Sequence, residues 1–139
     1  MTRILFVCVG NSARSQMAEA YCREYGHEVE CASAGSHPAP NVQHSAVAVM
    51  AEDGIDISKA RPKGLDAVLP GKWDYVVSMG CEVDCPFVPD AKVVRWDIPD
   101  PRGKALEEYR RAREIIRAEV ENLFSRIAEA TGGNHPGPV

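Results

Sequence analysis

The sequence predicts a single α/β domain built on a parallel sheet. Three observations carry this. Short continuous apolar runs, such as Ile4 to Val7 and Tyr75-Val76-Val77, suit strands buried on both faces. These runs alternate with segments of helical spacing, the order that makes strand–helix–strand units. A chain of 139 residues is long enough for one core.

Arg3 to Val7 is the first and central strand. Met17, Tyr21 and Tyr25 then recur at helical spacing over Gln16 to Tyr25, and Gly26 stops that helix. Glu28 to Ser33 is a second strand, followed by an irregular loop through Pro40. Val42 to Glu52 reads as a helix with Val42, Ala46, Val49 and Met50 inward, ended by Asp53-Gly54. A short helix is expected around Lys63 to Leu69. Trp73 to Met79 is the third strand and Lys92 to Trp96 the fourth; Pro86 and Pro89 punctuate the loop between them. Leu106, Tyr109, Ile116, Val120, Leu123 and Ile127 mark a long last helix, whose charged face should carry i,i+4 pairs. The domain should span residues 1–130, with the Gly- and Pro-rich residues 131–139 a flexible tail. Trp73 and Trp96 read as packing residues.

Composition bounds the function. A formal net charge of -4 argues against non-specific nucleic-acid binding, so any anion site must be a local positive pocket. No signal peptide or membrane span is visible, which favours a cytoplasmic location. The cysteines, 8, 22, 31, 81 and 85, are odd in number and lack the spacing of a secreted scaffold. Cys22 and Cys31 are expected to be buried and inert.

Chemistry concentrates in Cys8-Val9-Gly10-Asn11-Ser12-Ala13-Arg14-Ser15. A strand, a tight polar loop and a helix aim backbone N–H groups and the positive end of the helix dipole at one spot. Gly10 and Asn11 suit the sharp turn. Arg14 offers a planar fork to a tetrahedral oxyanion. Cys8 lies at the bottom of this well, where a positive field favours the nucleophilic thiolate. The backbone of Val9, Gly10, Asn11, Ser12, Ala13, Arg14 and Ser15 should bind the oxyanion. Ser15 can also donate to the sulfur. A second feature is Cys81-Glu82-Val83-Asp84-Cys85. One helical turn would put its cysteines ~6 Å apart, within reach of a disulfide. Half a zinc site and two unrelated cysteines are the alternatives.

The run from Phe6 to Glu19, FVCVGNSARSQMAE, resembles the phosphate-binding loop of the low-molecular-weight protein tyrosine phosphatase fold. Its Arg-Ser-Gln-Met-Ala-Glu version is that of the arsenate reductases of the thioredoxin-coupled type. The similarity runs from Ile4 to about Phe124. It implies a four-stranded parallel sheet of order 2-1-3-4 with helices on both faces. It makes Cys8 the nucleophile, Cys81 and Cys85 a disulfide relay, and Asp100, just before Pro101, the general acid. Like charges around an aspartate favour its protonated form, which suits that role. A turn-starting Asp100 is the alternative reading, and Asp97 is a rival acid. The implied substrate is arsenate, with phosphate or sulfate as analogues; the implied partner is a thioredoxin-like reductant, or else glutaredoxin or a small thiol.

The chain departs from the pattern at three points. Ala13 stands where many relatives have a second cysteine. Arg102 and Gly103 replace the aromatic residues of the phosphatases. Some relatives hold potassium beside the loop; Asn11, Glu19 and Ser33 match those ligands, but Lys63 occupies the acidic position, so no metal or other cofactor is expected. A tyrosine phosphatase, needing only Cys8 and Asp100, is the rival enzyme. A non-enzymatic thiol sensor or arsenic-binding module is the rival from another class.

Overall fold

The computed structural model describes residues 1–80 and 86–130. Its elements are β1 (Thr2–Cys8), α1 (Arg14–Tyr25), β2 (Val29–Gly35), α2 (His44–Glu52), a 3-10 turn (Leu65–Ala67), β3 (Tyr75–Ser78), β4 (Lys92–Arg95) and α3 (Leu106–Ala130). All four strands are parallel, in the order β2-β1-β3-β4, as expected. The expected redox pair Cys81 and Cys85 and the expected tail lie outside the described residues.

Strand alternation divides the core into two layers. Ile4, Phe6 and Cys8 of β1 face a cluster that takes in Met17, Ala18 and Tyr21 of α1, Val49 and Met50 of α2, and Ile116, Val120 and Leu123 of α3. Leu5 and Val7 face the other way, onto Ala34, Trp73, Val76 and Val88, with Leu65 of the 3-10 turn and Val68 just after it packed alongside. Three α-helices thus cover one face, and the 3-10 turn with its loops covers the other. The expected helix around Lys63 to Leu69 shortens to that turn, because Pro70 cannot continue a helix.

Tyr25 is 41% exposed and stacks on Tyr21 with ring centroids 5.7 Å apart, on the face its spacing marks. Two details depart from expectation. Among the described residues the ion pairs along α3 are i,i+3, such as Arg117 with Glu114, or between neighbours, as Arg113 with Glu114, and two of its arginines also reach off the helix. Arg110 and Arg113 both grip Glu52, at 2.8 and 2.6 Å, clamping α2 to α3. Finally, Cys22 and Cys31 are not separate inert thiols. They form a disulfide with Cα atoms 6.1 Å apart, joining α1 to β2. Both side chains lie in the same buried layer, where a helix and the strand that follows it pack directly together.

Parallel topology also sets where the site lies. β1, β3 and β4 all end at one sheet edge, so the loops after Cys8, Ser78 and Arg95 gather there.

Candidate active site

The loop after β1 is shaped by what holds its carbonyl groups. Ser36 N–H donates to the Cys8 carbonyl at 3.2 Å, His37 N–H to Val9 at 2.8 Å, Ala39 N–H to Gly10 at 2.9 Å and Gln43 N–H to Ser12 at 2.9 Å. In a planar trans peptide the C=O and the following N–H point in opposite directions. With its carbonyls turned toward residues 36–43, the loop must aim the amides of Val9, Gly10, Asn11 and Ala13 the other way, into its own hollow. One of these contacts is direct: Asn11 N–H donates to Cys8 Sγ at 3.3 Å. The α1 N-terminus adds to the ring of donors. Ala13, its N-cap, supplies no side-chain acceptor, and no acidic residue stands in the first turn to compete for the helix amides.

Gly35 makes this curl possible. It is the register partner of Cys8 in the sheet. A Cβ there would sit 2.5 Å from the Val9 carbonyl oxygen and 2.9 Å from Asn11 N. Only glycine lets the loop lie so close to β2.

Asn11 takes the left-handed conformation, with φ of 51°, and its side chain is fully used. Its amide donates to Ser15 Oγ at 2.8 Å and to Ser33 Oγ at 2.9 Å. Its Oδ1 accepts from Lys63 N–H at 2.8 Å and from Gln16 Nε2 at 3.1 Å. Ser33 donates onward to Glu19 at 2.6 Å. Since Ser15 Oγ accepts from Asn11, its own proton is available for Cys8 Sγ, 2.8 Å away. Glu19 is buried and receives Arg23 at 2.7 Å and Lys63 at 3.9 Å. Lys63 therefore does reach the carboxylate beside the loop. Among the described residues no group of three or more His, Cys, Asp or Glu side chains is placed to hold a metal.

Arg14 is almost wholly buried. It donates to the Ile98 carbonyl at 3.2 Å and pairs with Asp100 Oδ2 at 3.6 Å. Gly80, with φ of +91°, gives it room: a Cβ there would fall 2.5 Å from Arg14 Nη1. Asp100 does two things at once. Its Oδ1 accepts from Arg102 N–H at 3.0 Å, the turn-forming bond of an Asp before Pro, while Oδ2 faces Arg14. The rival acid Asp97 is exposed.

Cys8, Arg14 and Asp100 line one small cavity together with Gly10, Ser12, Ala13, Gln43 and Arg102. Among the described residues, the larger clefts elsewhere, such as that lined by Thr2, Asp74, Tyr75 and Ile127, are lined by no cysteine. The cavity combines a sulfur nucleophile, inward amides, a pinned guanidinium and a carboxyl group: the parts needed to hold a small oxyanion, attack it and pass it a proton.

The family follows from comparison with known proteins. A model described as low molecular weight phosphotyrosine protein phosphatase matches residues 3–132. The chain belongs to that family. Within it, the similarity runs to proteins named for arsenate. A glutaredoxin arsenate reductase of Synechocystis sp. is 34% identical over 131 residues, covering 92% of this chain and all of the relative. A solved structure titled as an arsenate reductase in the phosphate binding state is 34% identical, with a TM-score of 0.81, covering 91% of this chain and 99% of that one. A thioredoxin-dependent arsenate reductase of Corynebacterium glutamicum is 31% identical with a TM-score of 0.74, covering 94% of this chain and 63% of that one.

Two members of the low molecular weight phosphatase site here were not foreseen from sequence. Gln43 donates to Ser12 Oγ at 2.9 Å, and its carbonyl oxygen accepts from the Tyr109 hydroxyl. Burial first, and then the Asp100 charge, push the Tyr109 phenol up, so it remains a donor. Periodicity marks Tyr109 only as an inward position, and Gln43 lies in a stretch with no motif.

Proposed function

We propose that this chain is an arsenate reductase. The observation that supports it best is the juxtaposition of buried Cys8 Sγ, the inward amides, Arg14 and Asp100 in one small cavity. Its relatives named arsenate reductase give the substrate. Val9 to Ser15 and Arg14 bind arsenate. The Cys8 thiolate attacks arsenic, forming an As–S bond, while the As–O bond to the departing hydroxyl breaks. Asp100 gives that oxygen a proton, so water leaves.

The Cys81 thiolate then attacks Cys8 Sγ. An S–S bond forms, the As–S bond breaks, and its electron pair stays on arsenic, which leaves as arsenite. The Cys85 thiolate next attacks the Cys81 sulfur, freeing Cys8 as thiolate and leaving a Cys81–Cys85 disulfide. A dithiol donor takes up that oxidation. One relative is named for thioredoxin and another for glutaredoxin, so the donor is a protein of that thiol class. Such a relay needs a reducing compartment, the cytoplasm. Among the described residues no helix is long and apolar enough to cross a membrane.

The test is arsenate-dependent NADPH consumption with thioredoxin and its reductase, or with glutaredoxin, glutathione and glutathione reductase. Wild type should turn over, and Cys8→Ser, Cys81→Ser and Cys85→Ser should each stop it. An enzyme that consumes no NADPH with either system, yet hydrolyses an aryl phosphate in a Cys8-dependent way, would be a phosphatase.

A further inference from the structure

We propose that Arg102 is a second guanidinium of the oxyanion site, one that selects a small inorganic dianion over a phosphate or arsenate ester. This rests on the reading of the Cys8 loop as an anion site and adds a specificity residue to it.

Arg14 is committed from below. It is buried, with a side-chain exposure of 8%, and two of its contacts, to the Ile98 carbonyl and Asp100, come from the β4–α3 loop. Arg102 belongs to the same loop but stands at the mouth, its side chain 56% exposed. Its guanidinium lines the cavity, and a side chain begun on Gly10 would come within 3.9 Å of its Nη1. The head group therefore lies over the loop whose amides point inward. It is lightly held: Nη2 reaches Asp100 Oδ2 at 3.4 Å, while the backbone N–H makes the firmer 3.0 Å bond that fixes the turn. A turn anchored through its backbone leaves the side chain free to exchange partners.

The charges explain what the exchange does. Asp100 Oδ2 is shared by Arg14 and Arg102. A bound tetrahedral dianion offers Arg102 a stronger, charge-assisted partner than a half-shared carboxylate oxygen. Moving to it places a cation on the outward oxygen. An ester would direct its organic group through that same mouth, where the Arg102 guanidinium stands and where none of the described lining residues is aromatic.

The test is calorimetric titration of wild type, Arg102→Ala and Arg102→Lys with inorganic phosphate and with phenylphosphonate, at one ionic strength. A charge-assisted pair at a partly exposed position corresponds to about tenfold in affinity. Arg102→Ala should therefore bind phosphate about tenfold more weakly, Arg102→Lys should fall between, and phenylphosphonate should change by less than twofold. Equal phosphate affinity in wild type and Arg102→Ala overturns the proposal. So does an equal loss for both ligands, which would make Arg102 a general charge, or no phosphate binding by wild type. Arsenate turnover separates the two readings. A wild type that binds phosphate in an Arg102-dependent way but reduces no arsenate leaves Arg102 in place and removes the reductase.

Discussion

The Cys8 sulfur and the Ser15 hydroxyl lie 2.8 Å apart, and Asn11 donates to the same hydroxyl from the other side. Asn11 thus orients a hydroxyl proton toward the sulfur. Removing it should slow the thiol without unfolding the loop. In a Cys81→Ser/Cys85→Ser background, Ser15→Ala is expected to reduce the rate of Cys8 alkylation by iodoacetamide at pH 7 several-fold, while Ser15→Thr should retain most of it. Equal rates for all three proteins would show that the hydroxyl only fills space.

Gly35 is a packing constraint with catalytic consequences. Its neighbours are backbone atoms, which cannot rotate away as a side-chain end would. Gly35→Ala should cost about 1–3 kcal/mol of stability, the usual range for overpacking. It should also weaken phosphate binding, since the loop must lift from β2. A urea melt and a phosphate titration measure the two effects separately.

The Glu52 clamp makes a prediction about acid. Arg110 and then Arg113 hold the Glu52 carboxyl down, to about 2 from an ordinary 4.5. A depressed carboxylate stabilises the fold fully above its unfolded value and loses that contribution as pH falls through its folded value. Wild type should therefore lose part of its stability advantage over Glu52→Gln between about pH 4.5 and about 2. Melting temperatures of the two proteins, compared across that range, should converge as pH drops. A constant gap would mean that the pairs to α3 contribute nothing through charge.

The disulfide between Cys22 and Cys31 closes a short loop, with a sequence separation of 9. Loop-closure entropy for that length gives about 2–3 kcal/mol. The double variant Cys22→Ala/Cys31→Ala should be less stable by about that amount in non-reducing buffer, and the difference should shrink with dithiothreitol. Denaturant melts with and without the reductant test it. Phosphate binding should survive, because the pair lies at the far end of α1 from the Cys8 loop.

Much of this molecule was legible where the information is local. The apolar runs marked β1 and β3 and the long period marked α3, because burial repeats along those segments. The Cys8-to-Ser15 loop was legible because all its parts are contiguous. What escaped depends on separate segments meeting. Gln43, Tyr109 and the Ile98 carbonyl reach the site from three other places in the chain, and none carries a pattern that points to the site. The Cys22–Cys31 pair escaped for a related reason: a helix position and a strand position follow different periods, so no spacing rule links them. The i,i+4 expectation failed on a helix detail, since regular periodicity does not say which partner a long arginine takes.

The amides of His37, Ala39 and Gln43 hold the Cys8 loop open by its carbonyls, yet none of them faces the hollow. Binding and local folding are then one equilibrium. Any opening of residues 36–43 releases the loop, and by reciprocity an anion in the loop must resist that opening. These three amides, from a segment outside the anion-binding loop, should exchange with deuterium more slowly when phosphate is bound, and a single cut in that segment should abolish binding while leaving every anion-contacting residue in the chain.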